Sequence, residues 1–190
     1  MKRFAALAAL LVFVLAGCAP QSEPIRYYVL ASGQLPASAP VRADRAVAVS
    51  VLDIPQYLNR QQIVMRDADG VEMRIDNSLR WGENLRSGIT NALCADLTAR
   101  LAPNGCAVPA APGNAAGRRV LVEIRKFEGI PGGSSVLSAI WSVSDEKDRF
   151  ERRSFTASLP SGDTEGALVQ SLSRLLDEFS AAVASEITRK

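Results

Sequence analysis

The sequence contains no histidine among its 190 residues. Histidine is the most frequent general base in enzymes and the most frequent metal ligand in proteins, so its absence removes the usual catalytic and metal-binding chemistries. The motifs GxxxxGK, GxGxxG and GxSxG are absent as well. The sequence therefore predicts no catalytic residue, no metal site and no cofactor, and an enzyme such as an anchored hydrolase is the least favoured class.

The N-terminus lacks an apolar run long enough to cross a bilayer. Lys2 and Arg3 precede an apolar or small run from Phe4 to Ala16, which is shorter than the roughly 20 residues that a membrane-spanning helix needs. This charged-then-apolar order is typical of an export signal. The next residues end in Cys18, and the four-residue stretch LAGC is similar to the lipobox of bacterial lipoproteins. An ordinary signal peptide that happens to contain a cysteine is the alternative.

A lipobox implies that Cys18 is acylated and becomes the first residue after cleavage. Two or more acyl chains hold a protein on a membrane far better than one chain does. Ala19 stands where an aspartate retains many lipoproteins in the inner membrane, so we expect an outer-membrane protein that faces the periplasm. The predicted organisation is a signal peptide (1–17), a lipidated tether (18–24) and one periplasmic domain (25–190).

The cleaved chain carries no excess of either charge. Lys2 and Arg3 leave with the signal peptide, so the 22 basic residues fall to 20 and equal the 20 acidic residues. A near-neutral chain offers little phosphate neutralisation, and no nucleic-acid partner is expected. Cleavage leaves 173 of the 190 residues, which suffice for one domain with a substantial core.

Only three cysteines occur in the chain. Apart from Cys18 they are Cys94 and Cys106, and neither belongs to a CxxC motif, so neither zinc binding nor thioredoxin-like redox chemistry is indicated. In an oxidising compartment the pair can form a disulfide. Two separately buried thiols are the alternative.

The hydrophobic patterns predict strands in two groups, each followed by a helix. In the first helix leucine or isoleucine recurs every fourth residue from Leu85 to Leu101. The C-terminal helix has an apolar stripe from Leu168 to Ile187, expected to pack on its own sheet. The predicted fold is α+β, with a mostly antiparallel sheet and both amphipathic helices on one face. The predicted strands lie in 25–30, 46–54, 63–66, 71–75, 119–127, 137–143 and 149–159. Asp69 and Gly70 predict a hairpin turn between the third and the fourth of these strands.

Several separated segments together resemble one family. They are YYVL at Tyr27–Leu30, YLNRQQIV at Tyr57–Val64, LRWGENL at Leu79–Leu85 and the helix GITNALCADLTARL. The chain is similar to the PqiC/YmbA family, the ABC-type transport auxiliary lipoprotein components. That resemblance implies a non-enzymatic accessory of an MCE-type intermembrane lipid transport system, which docks the periplasmic MCE assembly at the outer membrane. It does not supply the pairing of Cys94 with Cys106.

Within the resemblance, the segment Tyr57, Leu58, Asn59 and Arg60 follows a strand-ending proline and combines residue types that favour interface anchors. We therefore expect it to contact the MCE protein, and a structural loop is the alternative. Trp81 is expected in the core. Other functions remain open: a lipoprotein that assists assembly of an outer-membrane machine, or a lipid-carrying module. Homo-oligomerisation is also left open.

Overall fold

The computed structural model describes residues 23–33, 46–67, 69–102, 117–144 and 150–189. The signal peptide, Cys18, most of the tether and Cys106 lie outside these residues. The elements in chain order are β1 (Arg26–Tyr28), β2 (Val47–Asp53), a 3₁₀ turn (Gln56–Leu58), β3 (Gln62–Arg66), β4 (Met73–Trp81), α1 (Leu85–Leu101), β5 (Arg118–Gly129), β6 (Ser134–Ser144), β7 (Phe150–Pro160) and α2 (Glu165–Arg189).

The seven strands form one mixed sheet in the order β1-β4-β3-β5-β6-β7, with β2 paired to β5. The longest pairings, β5 with β6 and β6 with β7, are antiparallel, as is the β3–β4 hairpin. The pairings of β1 with β4, β2 with β5 and β3 with β5 are parallel. The predicted α+β class with a mostly antiparallel sheet is confirmed.

Each helix begins at a side chain that satisfies free backbone N–H groups. Asn84 Oδ1 accepts from the backbone N of Arg86 and of Ser87, at 3.0 and 3.4 Å. Thr164 Oγ1 accepts from the backbone N of Ala167 at 3.2 Å ahead of α2. Such caps stabilise a helix terminus by about 1 kcal/mol. The helix boundaries therefore follow from local sequence.

Both helices bury their predicted stripes against the same face of the sheet. Leu85, Ile89, Leu93, Leu97 and Leu101 of α1 are each at most 2% exposed, and the stripe of α2 is buried throughout. These side chains form one core cluster with alternate residues of the strands. The cluster also holds Trp141 of β6, whose ring meets that of Phe179 edge to face at 6.0 Å.

The other side of the sheet is called the open face here, and Leu52, Ser138, Arg152 and Thr156 mark it. These side chains alternate with the core residues along their strands. Ser138 and Thr156 are hydrogen-bonded at 3.0 Å in an exposed position. Neither α1 nor α2 covers this face.

The strand β4 extends furthest beyond its predicted end. The sequence suggested a strand only to Ile75, whereas β4 continues to Trp81. The register shifts between the pairs Val64–Ile75 and Gln62–Arg80, so four residues of β4 stand opposite one residue of β3 and the alternation is interrupted. Trp81 is 6% exposed and its ring lies 6.5 Å from that of Phe127, which confirms the predicted core position.

Candidate functional site

The segment that the sequence singled out, Tyr57 to Arg60, begins directly where β2 ends. Pro55 fixes its own φ at −51° and the chain enters a single 3₁₀ turn. The backbone N of Leu58 donates to the carbonyl of Pro55 at 2.9 Å, and Asn59 N donates to Gln56 O at 3.1 Å. The backbone of the segment is thereby held in one conformation between two strands.

The four side chains divide into two kinds. Leu58 is 2% exposed and belongs to the core, and Tyr57 is half-buried and packs against that core. Asn59 and Arg60 are exposed. Within the described ranges, no hydrogen bond or ion pair joins the Arg60 side chain to another residue. A partner could therefore contact Asn59, Arg60 and the free edge of Tyr57, while Leu58 holds the segment on the sheet.

Tyr57 joins a charged pair that sequence reasoning missed. Glu128 is 3% exposed, and its Oε1 accepts from Arg66 Nε at 2.5 Å. The guanidinium carbon of Arg66 lies 5.7 Å from the centre of the Tyr57 ring, a cation–π distance. Two further bonds of 3.3 Å run from Arg66 Nη1 to the carbonyls of Gly70 and Val71. Arg66 thus links the turn, β5 and the hairpin.

The electrostatics of this cluster favour a structural role over a catalytic role. Burial, and then the neighbouring Glu128 carboxylate, raise the pKa of Tyr57 to about 12, so the phenol is neutral. The hydrogen bond to Glu128 raises the pKa of Arg66 above its usual range. The second carboxylate oxygen of Glu128, Oε2, is buried without a hydrogen-bond partner. A neutral phenol and a paired, buried carboxylate can hold a loop in place.

Neither Arg66 nor Glu128 carried a recognisable signal in the sequence. Each lies in a strand among alternating residues, where a charged side chain is normally solvated. The two are 62 residues apart in the chain. The one local hint is that Glu128 stands between Phe127 and a glycine at the end of its strand.

An open groove lies at the other edge of this half of the sheet. It measures about 500 Å³ and is lined by Glu23, Ile25, Asp76, Asn77, Ser78 and Arg80. The hydroxyl and the backbone N of Ser78 both donate to Asp76 Oδ1 at 2.7 Å and lower the pKa of that carboxyl. The groove is polar on the side of β4 and apolar at Ile25.

The predicted cysteine sites remain predictions. Cys18 and Cys106 lie outside the described residues. Cys94 is half-buried on α1, and burial raises the pKa of its thiol. A thiol with a raised pKa is less reactive at neutral pH than a free cysteine.

Within the described ranges, no group of three or more acidic or cysteine side chains is arranged to hold a metal ion. No helix there is long and apolar enough to span a membrane.

Comparison with known proteins identifies the fold and a family. A family model described as ABC-type transport auxiliary lipoprotein component matches residues 28–184. A crystal structure of an uncharacterized protein is 25% identical and superposes with a TM-score of 0.74, over 87% of this chain and 99% of that one. A Xanthomonas campestris protein of the family DUF330 is 15% identical, with a TM-score of 0.65, over 86% and 95%. The second likeness shows the fold alone, and no curated protein matches the chain.

Proposed function

The chain belongs to the family of ABC-type transport auxiliary lipoprotein components, and from that premise we propose that it docks the periplasmic MCE protein of a lipid transport system at the outer membrane. The observation that carries the proposal is the family match over residues 28–184, in a chain whose residues 15–18, LAGC, are similar to a lipobox. In this role the protein is an accessory of the transporter and performs no catalysis. It joins a membrane to a periplasmic partner.

The anchor in this proposal is Cys18, the last residue of the LAGC stretch. Acyl chains on this residue insert into the bilayer, and each buried methylene contributes about 0.8 kcal/mol. Ala19 stands in place of the aspartate that retains many lipoproteins in the inner membrane, so in this proposal the lipoprotein reaches the outer membrane and its domain faces the periplasm. Cleavage and acylation leave a short tether before the first strand.

The docking residues in this proposal are Tyr57, Asn59 and Arg60. Asn59 and Arg60 are exposed and Tyr57 is half-buried, and the backbone hydrogen bonds of the 3₁₀ turn hold them in one arrangement. A preorganised segment loses little conformational entropy when a partner binds. Tyrosine and arginine are also enriched among the residues that carry most of the binding energy of interfaces. Leu58 contributes by keeping the turn on the core.

The test is capture of the purified periplasmic MCE protein by the lipidated chain, with Arg60→Ala compared to Arg174→Ala. Both arginines are exposed, and Arg174 lies on α2, away from the turn. If Arg60 is an anchor, its loss weakens binding by roughly 30-fold, which corresponds to about 2 kcal/mol. The melting temperature stays unchanged because an exposed arginine contributes little to stability. Arg174→Ala binds as the wild type does.

Two negative results are informative, one from this capture and one from capture combined with purification of the wild-type chain out of its own membrane. Full capture by Arg60→Ala with a normal melting curve removes Arg60 from the interface. Absence of capture by the wild-type chain, together with co-purification of a β-barrel protein, would instead assign the lipoprotein to the assembly of an outer-membrane machine.

A further inference from the structure

Most of the exposed apolar side chains in the described part of the chain lie along one edge of the sheet. Among the described residues, eight large hydrophobic side chains are exposed. Six of them lie on β1, on β4 or in the residues next to these strands, and they are called the corner patch: Ile25, Tyr27, Val29, Val71, Met73 and Ile75. The other two, Leu52 and Phe150, lie on β2 and β7. Large exposed apolar surfaces on a folded protein mark interaction sites, which makes this edge a candidate for one.

The topology places these residues along the edge formed by β1 and β4, from Val29 beside Gly82, after the end of β4, to Val71 in the hairpin before its start. β1 runs parallel to β4, with Arg26 opposite Leu79 and Tyr28 opposite Trp81. The chain that enters β1 therefore runs beside the residues that precede Leu79, and Glu23 and Ile25 line one groove with Asp76 and Asn77. Along β4, Ile75 and Met73 continue in the same direction, toward Val71 in the hairpin turn.

Along β1 the apolar side chains share one side. Ile25, Tyr27 and Val29 alternate with Arg26 and Tyr28, and their exposed fractions are 46%, 64% and 65%. Tyr28 packs against the core and Arg26 approaches Glu165 at the start of α2. The odd-numbered residues therefore point away from the helices, onto the open face.

The position of the corner patch is held by contacts on both sides of β1. The backbone N of Gly82 donates to the carbonyl of Tyr28 at 2.7 Å. Beyond β1, Ala31 N donates to Ser173 Oγ of α2 at 3.1 Å, and Gly33 N donates to the buried Asp96 of α1 at 2.6 Å. The strand is thereby tied to both helices, so the chain leaves the domain at one fixed place near Glu23.

A lipid on Cys18 would hold this corner close to the bilayer. Five residue steps separate Cys18 from Glu23, and an extended chain spans at most about 3.6 Å per step, or ~18 Å in total. A compact domain of this length has a radius of gyration of about 15 Å and a width of roughly 40 Å. The tether is shorter than the domain is wide, so the surface around Glu23 stays near the membrane and the far side of the domain does not reach it.

We propose that the corner patch is the surface that this protein lays on the lipid bilayer, with Tyr27 and its apolar neighbours entering the headgroup region. This inference rests on the proposed lipid anchor at Cys18. Tyrosine suits an interface because its ring is apolar and its hydroxyl is polar. Lipid contact would orient the domain and present the open face beside the membrane.

The experiment places a tryptophan at Tyr27 and, as the matched control, at Phe150. Phe150 is also exposed, at 43%, but it lies on β7 at the opposite edge of the sheet. Five strand spacings of about 4.8 Å separate the two edges, or ~24 Å. Full-length lipidated Tyr27→Trp and Phe150→Trp are reconstituted into vesicles of phosphatidylethanolamine and phosphatidylglycerol whose acyl chains carry bromine, a fluorescence quencher. The emission of the wild type, from the buried Trp81 and Trp141, is subtracted.

A side chain that enters the interface by about 5–10 Å reaches the brominated chains. We expect the brominated chains to quench the introduced tryptophan at position 27 more strongly than the one at position 150, with a fractional loss of emission at least about twofold larger. Vesicle flotation distinguishes failure of the lipid anchor at Cys18 from failure of the proposed contact between the corner patch and the bilayer. Wild-type protein that fails to float overturns both. Protein that floats, with equal loss at both positions, overturns the inference alone. If the tryptophan at position 27 becomes protected from solvent only after the MCE protein is added, the corner patch contacts a protein partner, and the inference is overturned too.

Discussion

Removal of the Arg66 side chain should cost far more stability than removal of the charge that it pairs with. Glu128 is 3% exposed, and one of its oxygens already lacks a hydrogen-bond partner. Arg66→Met keeps the aliphatic stem but leaves this carboxylate buried and unpaired. Breaking a buried pair in that way costs roughly 3–5 kcal/mol, and we expect about 3 kcal/mol because the Arg66 side chain is 24% exposed and water can enter.

Glu128→Gln should cost only about 1 kcal/mol. The guanidinium of Arg66 keeps its bonds to the carbonyls of Gly70 and Val71, and it reaches solvent. The double variant should be more stable than Arg66→Met alone, because the uncompensated charge is then absent. The two single changes are therefore strongly non-additive.

The assay is urea unfolding of the four proteins, with Arg125→Met as the matched control. Arg125 also forms an ion pair, 2.5 Å from Glu123, but its side chain is 47% exposed and Glu123 keeps a second partner in Arg152. Such surface pairs contribute between about 0 and 1 kcal/mol. Equal losses for Arg66→Met, Glu128→Gln and Arg125→Met would refute the reasoning, since burial of the carboxylate would then have no energetic consequence.

The remaining predictions concern the turn and the cysteines. Leu58→Ala should lower the free energy of unfolding by about 2–5 kcal/mol because Leu58 is 2% exposed, whereas Asn59→Ala should change it by less than about 0.5 kcal/mol; equal effects would place Leu58 outside the core. The pKa of Tyr57 is raised from 10.0 to about 12, so the fold favours the neutral phenol, and this contribution to stability is complete below pH 10 and is lost toward pH 12. Ultraviolet titration should show one late tyrosine that disappears in Tyr57→Phe, and an unchanged curve would contradict this. If Cys94 and Cys106 are bridged, denatured and unreduced protein gains no alkyl adduct by intact mass, whereas two adducts would mean two thiols.

Local patterns predicted the elements of this fold well. The stripe of α2 and the four-residue repeat of α1 identify both helices, since an apolar stripe must be buried. The hairpin at Asp69 and Gly70 also follows from turn chemistry, with Gly70 at a positive φ of 70°. These features depend on residues that are close in the chain.

Long-range arrangements were not predictable in the same way. The parallel pairing of β1 with β4 joins segments more than 50 residues apart, and nothing in either strand specifies its partner. The charged pair under Tyr57 arises only when β3 and β5 become neighbours in the sheet. The alternation of β4 is interrupted after Ile75, so the sequence predicted a strand only up to that residue.

The segment Tyr57 to Arg60 shows the same limit within a few residues. Its composition favoured an interface anchor, and its place after Pro55 favoured a turn. Only the fold separates Leu58, which is buried, from Asn59 and Arg60, which are exposed, because burial depends on how the turn folds back over β3. Composition therefore indicated the segment but not which of its side chains a partner could reach.

The central claim is that this lipoprotein brings a periplasmic MCE protein to a membrane. The most direct measurement is flotation of the purified MCE protein with vesicles that carry the wild-type lipoprotein, with no lipoprotein, or with the Cys18→Ala chain added in solution. We predict that the MCE protein floats only with the wild-type vesicles, because docking needs both the acyl anchor and the folded domain. Flotation of the MCE protein with bare vesicles to the same extent, or its absence from vesicles that hold the wild-type lipoprotein, would contradict the account.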